Sequence, residues 1–242
     1  MQSTHLIRLA IDQVMALRQA SLADPSLQAA LQHTKQRQAR RFARVYRDLL
    51  DNPLFSSAAQ FFLTELYADK DFSLRDRQFA RIADTVEKLF PQSVVNVTQA
   101  LADLHLLTEQ LDFAMAHAML ALPAATPPLP AALVYLHAWR ATGAREQRQR
   151  QLASVMALGQ QLGQLARTPG LRLMLLMMRG PAAAAGLSDL QRFLEAGFDA
   201  FAKIAKHPSG VADFLATIQT RESAFITSLF DDSEVTCVTL LS

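Results

Sequence analysis

Residues 55–67 read FSSAAQFFLTELY and carry a single charge, Glu65. Wound at 3.6 residues per turn, the run sets Phe55, Ala59, Phe62 and Leu66 along one line, with Ala58 and Leu63 beside it and Phe61 and Tyr67 on the flanks. A helix apolar on nearly every side has to be buried. The stretch therefore predicts the central helix of an all-α, multi-helix bundle, with the rest of the chain packed round it.

Composition agrees with that reading. Of the 242 residues, 50% are hydrophobic and 19% charged, and only eight are glycine. This is globular rather than disordered, and long enough to bury roughly 70–75% of the unfolded surface. A formal charge of +2 disfavours nucleic acid as a partner, and the single cysteine, Cys237, excludes an internal disulfide or a zinc site built on cysteine pairs. The N-terminal residues lack the apolar core and cleavage site of a secretory signal. The longest uncharged run, 113–139, is cut by Pro123, Pro127, Pro128 and Pro130 into pieces shorter than the roughly 20 residues a membrane span needs. The expectation is a cytoplasmic protein with no membrane span.

Working outward, a polar break at 68–72 is followed by a helix over about 73–90, opened by a Ser73/Asp76 capping box. Before the central helix come helices over about 5–20 and 25–50, the second starting with Pro25 after Asp24. After it comes a long helix over about 93–122, whose apolar seam repeats every three or four residues. Shorter helices are expected at 131–142, 145–167, 171–178, 188–204 and 211–230. Gly159 and Gly163 lie on the apolar stripe of the 145–167 helix, which implies close approach by a neighbour. The expected architecture is a single domain of about nine helices, 1–230, with 231–242 as a loose tail.

The string FFLTELYADKDFSLRDRQFARI (61–82), the piece MRGPAAAAGLSDLQRFLEAGFDAF (178–201) and the pair Arg221-Glu222 resemble an uncharacterised family of bacterial all-helical proteins with an FFLxxLYxxxDFxxRD signature. The resemblance covers most of 25–230. It implies a helical fold and brings no activity with it.

Two charges fall where the periodicity demands apolar side chains: Arg75 on the 73–90 helix and Glu222 on the last one. An unpaired buried charge is costly, so the two are expected to meet as a buried ion pair, with Glu65 competing for Arg75. Arg37, Arg40, Arg41, Arg44 and Arg47 share one face of the second helix, a surface suited to an acidic partner if it is more than a solvated face.

His105, Glu109 and Asp112 form a polar strip on the shoulder of the long helix, without the Glu-x-x-His pairs of a di-iron bundle. His117 and His137 are weak candidates for haem ligation. No catalytic signature, phosphate loop or dinucleotide fingerprint occurs. Residues 171–178, with Tyr135 and Trp139, are core or the lining of an apolar pocket. The expected function is a non-enzymatic interaction or regulatory protein using the basic face, with no metal or cofactor assigned. The alternative is a binder holding an apolar or tetrapyrrole ligand between helices.

Overall fold

The computed structural model describes residues 2–66, 78, 92–124 and 126–241. The expected 73–90 helix, and Arg75 with it, lie outside the described residues. Those residues form helices with no strand among them. The chain is an all-α bundle.

Helix α1 (Gln2–Leu22) leads into α2 (Pro25–Val45). Asp24 fixes the start of α2, its Oδ1 accepting from the backbone N–H of Ser26 at 2.9 Å and of Leu27 at 3.2 Å, while Pro25 sits where a missing N–H costs nothing. The helix does not run on to residue 50. It breaks at Tyr46, with φ −108° and ψ 22°, and resumes as α3 (Arg47–Asp51). The break coincides with two ties from the far end of the chain, described below.

The central stretch is less regular than its sequence suggests. α4 (Ser56–Phe61) is followed by a π turn, Phe62–Leu66. Gln60 is exposed, whereas Ala58 and Ala59 are fully buried and let a later helix approach closely. Phe62, 4% exposed, is the hub: its ring stacks on Phe42 at 6.4 Å, meets Phe214 edge-on at 5.6 Å and lies 6.4 Å from Phe201. Such pairs add about 0.5–1.5 kcal/mol each beyond the area they bury.

The remaining helices are α5 (Gln92–Ala121), α6 (Ala131–Ala141), α7 (Arg145–Leu165), α8 (Leu171–Met177), α9 (Arg179–Ala184), α10 (Ser188–Ala205), α11 (Gly210–Asp231) and α12 (Glu234–Leu241). α5 is the spine, packing against α1, α2, α6 and α7; α7 in turn packs against α10 and α11. Gln78 is buried, and its Oε1 accepts the backbone N–H of Leu190 at 3.0 Å in the first turn of α10, one of the donors a helix start leaves open.

The main core runs from Ile7 and Ile11 through the phenylalanine cluster to Ile218. A second core gathers Tyr135, Leu136, Trp139, Phe225 and Leu229, and Leu152 packs against both. The segment expected to be a loose tail belongs to this second core. Cys237 and Leu241 of α12 are buried in it, and the Cys237 thiol donates to the Ser228 carbonyl at 3.2 Å. Burial also pushes that thiol's pKa up, which makes it a poor nucleophile. Arg140 supplies the cap at the end of α11, donating to the carbonyls of Leu229 at 2.8 Å and Asp232 at 2.5 Å.

The glycines of α7 mark its crossing with α11. A Cβ at Gly159 would lie 2.5 Å from Leu215 Cδ2, and one at Gly163 would lie 2.9 Å from Val211 Cγ1. A β-branched valine cannot swing aside as a leucine tip can. Gly163→Ala gains about 1 kcal/mol of helix propensity but meets an overpacking cost of about 1–3 kcal/mol, so a net loss is expected. In a Val211→Ala background the clash is gone and the same change should be neutral or stabilising. Urea unfolding of the four proteins of this cycle measures the difference.

Candidate functional site: two adjoining cavities

Glu222 lies on the inner face of α11, where the periodicity placed it, and its partners come from α2. Its Oε2 accepts from Arg41 Nη2 at 2.7 Å and its Oε1 from the Tyr46 hydroxyl at 2.6 Å. The Arg41 and Glu222 side chains are only 10% and 12% exposed, and the guanidinium stands 4.0 Å over the Phe225 ring. The neighbouring Arg221 reaches the same break in α2, donating to Val45 O at 2.7 Å and to both carboxylate oxygens of Asp48 at 2.7 Å. The expected pairing of Glu222 with Arg75 lies outside the described residues.

The arginine face of α2 is divided. Arg41 turns inward to Glu222. Arg37 and Arg44 donate to the last carbonyls of α12, Leu241 O at 3.2 Å and Leu240 O at 2.5 Å. Burial lowers the Arg37 pKa, Tyr135 opposing it and the positive charges of Arg44 and Arg40 adding to it. Arg40, Arg44 and Arg47 are exposed. The five do not form a uniform solvated face because three are engaged in holding the second core to α2.

Between α2, α5, α6, α7 and α11 lies a cavity of about 130 Å³, the more polar of the two, in which charged side chains stand among apolar ones. Lys35, Arg41 and Arg148 reach it, as do Glu65, Glu109, Asp112 and Glu222. Two members of the strip on α5, Glu109 and Asp112, prove to be buried, at 5% and 2% exposure; His105 also lines the cavity. Lys35 Nζ holds Glu109 with bonds of 2.8 and 2.9 Å, and Arg18 stands 3.6 Å away. Burial alone would raise the Glu109 pKa, but the charges of Lys35, His105 and Arg18 outweigh it and lower it. Asp112 is one turn further on and behaves oppositely. It accepts from Gln38 Nε2 at 2.8 Å, yet burial raises its pKa despite Lys35 and Arg148. Arg148, 5% exposed, stands 4.3 Å over the Trp139 ring.

An apolar cavity of about 310 Å³ lies on the other side of α5, between α5, α7, α8, α9 and α10. Leu171, Leu175 and Met178 line it as the sequence suggested, but Tyr135 and Trp139 line the polar cavity instead. Its polar lining groups are satisfied elsewhere: the Thr98 hydroxyl donates to Val94 O at 2.8 Å, and Gln191 Nε2 to Leu175 O at 2.7 Å and to Glu195 at 2.8 Å. Arg179 holds the Glu195 carboxyl down at about 2 from the rim. Phe62, Leu101, Leu104, Val155 and Phe193 line both cavities.

Lys35, Gln38, Arg148 and Gln151 escaped the sequence reading because each lies among polar neighbours on a helix that looks solvated. Arg148 in particular follows Arg145, Glu146 and Gln147, and its burial over the Trp139 ring is a tertiary contact that this run does not announce. Of the histidines suggested for haem, His117 is exposed, and His137 bonds Glu234 at 2.8 Å. No group of three or more metal-ligating side chains capable of holding an ion occurs among the described residues. Among them, too, no helix is long and apolar enough to cross a membrane.

Glu222→Gln removes the carboxylate charge that Arg41 donates to in the interior and is expected to cost about 3–5 kcal/mol in denaturant unfolding. Asp112→Asn is expected to act the other way. Because the folded-state pKa of Asp112 is raised above 3.8, folding favours the protonated form, and stability falls as pH rises through that value. The asparagine variant should therefore equal or exceed the wild type in stability at neutral pH, with the gap closing on acidification. Urea midpoints across pH 4 to 8 measure it.

No curated protein and no solved structure matches this chain. Residues 17–236 match the profile of a family described as "Domain of unknown function (DUF8198)". The chain is a member of that domain family, which spans nearly its whole length.

Proposed function

We propose that this is a non-enzymatic binding protein that holds a small apolar molecule between α5, α7 and α10. The observation that carries the reading is the apolar cavity. At about 310 Å³ it reaches the roughly 300–1,000 Å³ range of ligand pockets, and it is about twice the size of a cavity that admits benzene. A void of that size costs stability when empty, and a fold that keeps it gains from an occupant. Pro181 and Ala185 of the lining are exposed, giving a route from the surface at α9. Among the described residues no histidine lines this cavity, which favours an apolar molecule over a tetrapyrrole held through iron. A cytoplasmic, bacterial setting fits a free, buried cysteine and the likeness described at the outset.

The exposed Arg40 and Arg47 support a second reading, contact with an acidic protein partner. It is weaker, since Arg37, Arg41 and Arg44 are committed within the fold.

The environment-sensitive dye N-phenyl-1-naphthylamine tests the first reading. Its fluorescence should rise on mixing with the protein, and Ala182→Phe, which fills the cavity from α9, should weaken binding at least tenfold. A wild-type protein that leaves the dye dark overturns the reading.

A further inference from the structure

The outer face of α8 and α9 carries apolar side chains that the core does not use. Leu173 and Met177, one turn apart on α8, are 60% and 63% exposed, while Leu171, Leu175 and Met178 line the apolar cavity from another side of the same helix. The run continues uncharged through and just past α9, where Gly180, Pro181, Ala183, Ala184 and Ala185 are exposed. Pro181 and Ala185 also belong to the cavity lining, so this apolar surface and the mouth of the cavity are continuous. An exposed apolar surface with a polar rim marks a place that meets lipid or protein.

The surrounding charge decides between the two. From Gln147 to Ser188 the chain has five arginines and no carboxylate. Over 160–210, the stretch that holds α8, α9 and α10, six cations stand against three carboxylates, although the whole chain has a formal charge of only +2. Each of the three carboxylates is taken by an arginine of the same stretch: Asp189 by Arg192, Glu195 by Arg179 and Asp199 by Arg172, the last at 2.9 Å. The positive excess is then Arg167 and Lys203, which donate to the neutral oxygens Ala205 O at 3.3 Å and Ser57 Oγ at 3.4 Å, and the exposed Lys206. A second copy docked on this surface about a two-fold axis would set the same excess against itself. An anionic bilayer accepts both parts, because apolar side chains enter below the head groups while arginine and lysine keep their charges at the level of the phosphates.

We propose that α8 and α9 seat this protein on an anionic phospholipid surface, with Leu173 and Met177 entering the head-group region and Arg167 and Lys206 facing the phosphates. The seat sets the mouth of the apolar cavity against lipid, where an apolar molecule is already dissolved. That loading role rests on the binding reading above; the docking itself does not.

The test pellets the wild-type protein, without dye, with vesicles of phosphatidylcholine and phosphatidylglycerol in equal parts, beside vesicles of phosphatidylcholine alone. At least fivefold more protein is expected to pellet with the anionic vesicles, and raised salt should release it. Leu173→Gln combined with Met177→Gln keeps good helix formers and alters no side chain of the cavity lining, and should cut the pelleted fraction at least fivefold with an unchanged circular dichroism spectrum. Arg167→Gln and Lys206→Gln should each weaken binding to anionic vesicles about fivefold. A wild type that stays in the supernatant overturns the inference, as does equal pelleting with the two kinds of vesicle or a double variant that pellets like the wild type. A wild-type dimer that the double variant splits gives the face to a second copy and overturns it too. Should the double variant not fold, the two charge variants decide. Vesicle binding by a protein that leaves the dye dark upholds the docking while the binding reading fails; dye binding without vesicle binding overturns the docking alone.

Discussion

Much of this fold turns on one point where two consecutive residues of α11 grip the break in α2. Arg221 takes the Val45 carbonyl and the Asp48 carboxylate; Glu222 takes the Tyr46 hydroxyl and the Arg41 guanidinium. The geometry requires the break. A continuous helix would keep the Val45 carbonyl in its own ladder and carry Tyr46 round to another face. The ion pair gains little by itself, since desolvating both charges offsets most of their attraction. Its effect is to fix register, because any slip of α11 along α2 would leave a buried carboxylate and a buried guanidinium unmatched. The phenylalanine cluster and the second core both hang on the helices so aligned.

That alignment explains why polar and apolar interiors coexist a few ångströms apart. α5 crosses the bundle with Glu109 and Asp112 turned to one side, Val94 and Val97 turned to the other, and Leu101 and Leu104 between them. The helices facing its polar side, α2 and α7, bring cations; those facing the apolar side, α8 to α10, bring leucines, Met178 and alanines. The two carboxylates then diverge although they are three residues apart. Glu109 has a lysine at bonding distance and stays charged, while Asp112 has an amide and leans toward its protonated form.

What could be read from the sequence was periodicity, and it served best where a helix has one wet and one dry face. α5, α10 and α11 lie within a residue or two of their expected bounds. The glycines of α7 pointed correctly to a close crossing, because glycine inside a helix stripe has few other reasons to be there. Periodicity was silent on irregular backbone: neither the break at Tyr46 nor the π turn at 62–66 leaves a mark in composition. It also misjudged α12, whose mixed Thr and Val residues look like a loose end, yet whose Cys237 and Leu241 fit the gap beside Trp139. The arginine face was seen as a face, but a row of guanidinium groups at helical spacing says nothing of which will bend inward. Partners on other helices decide that, and single-helix patterns do not contain them.

Gly159 has a double position, in the lining of the apolar cavity and beneath Leu215 of α11. With no side chain there to tilt or rotate, a molecule that swells the cavity at this spot presses on main chain. Main chain in a helix yields only by moving as a rod. The push would pass to α11 and, two turns along it, to the carboxylate at 222, so that the contents of the greasy compartment and the grip of α11 on the end of α2 are mechanically linked.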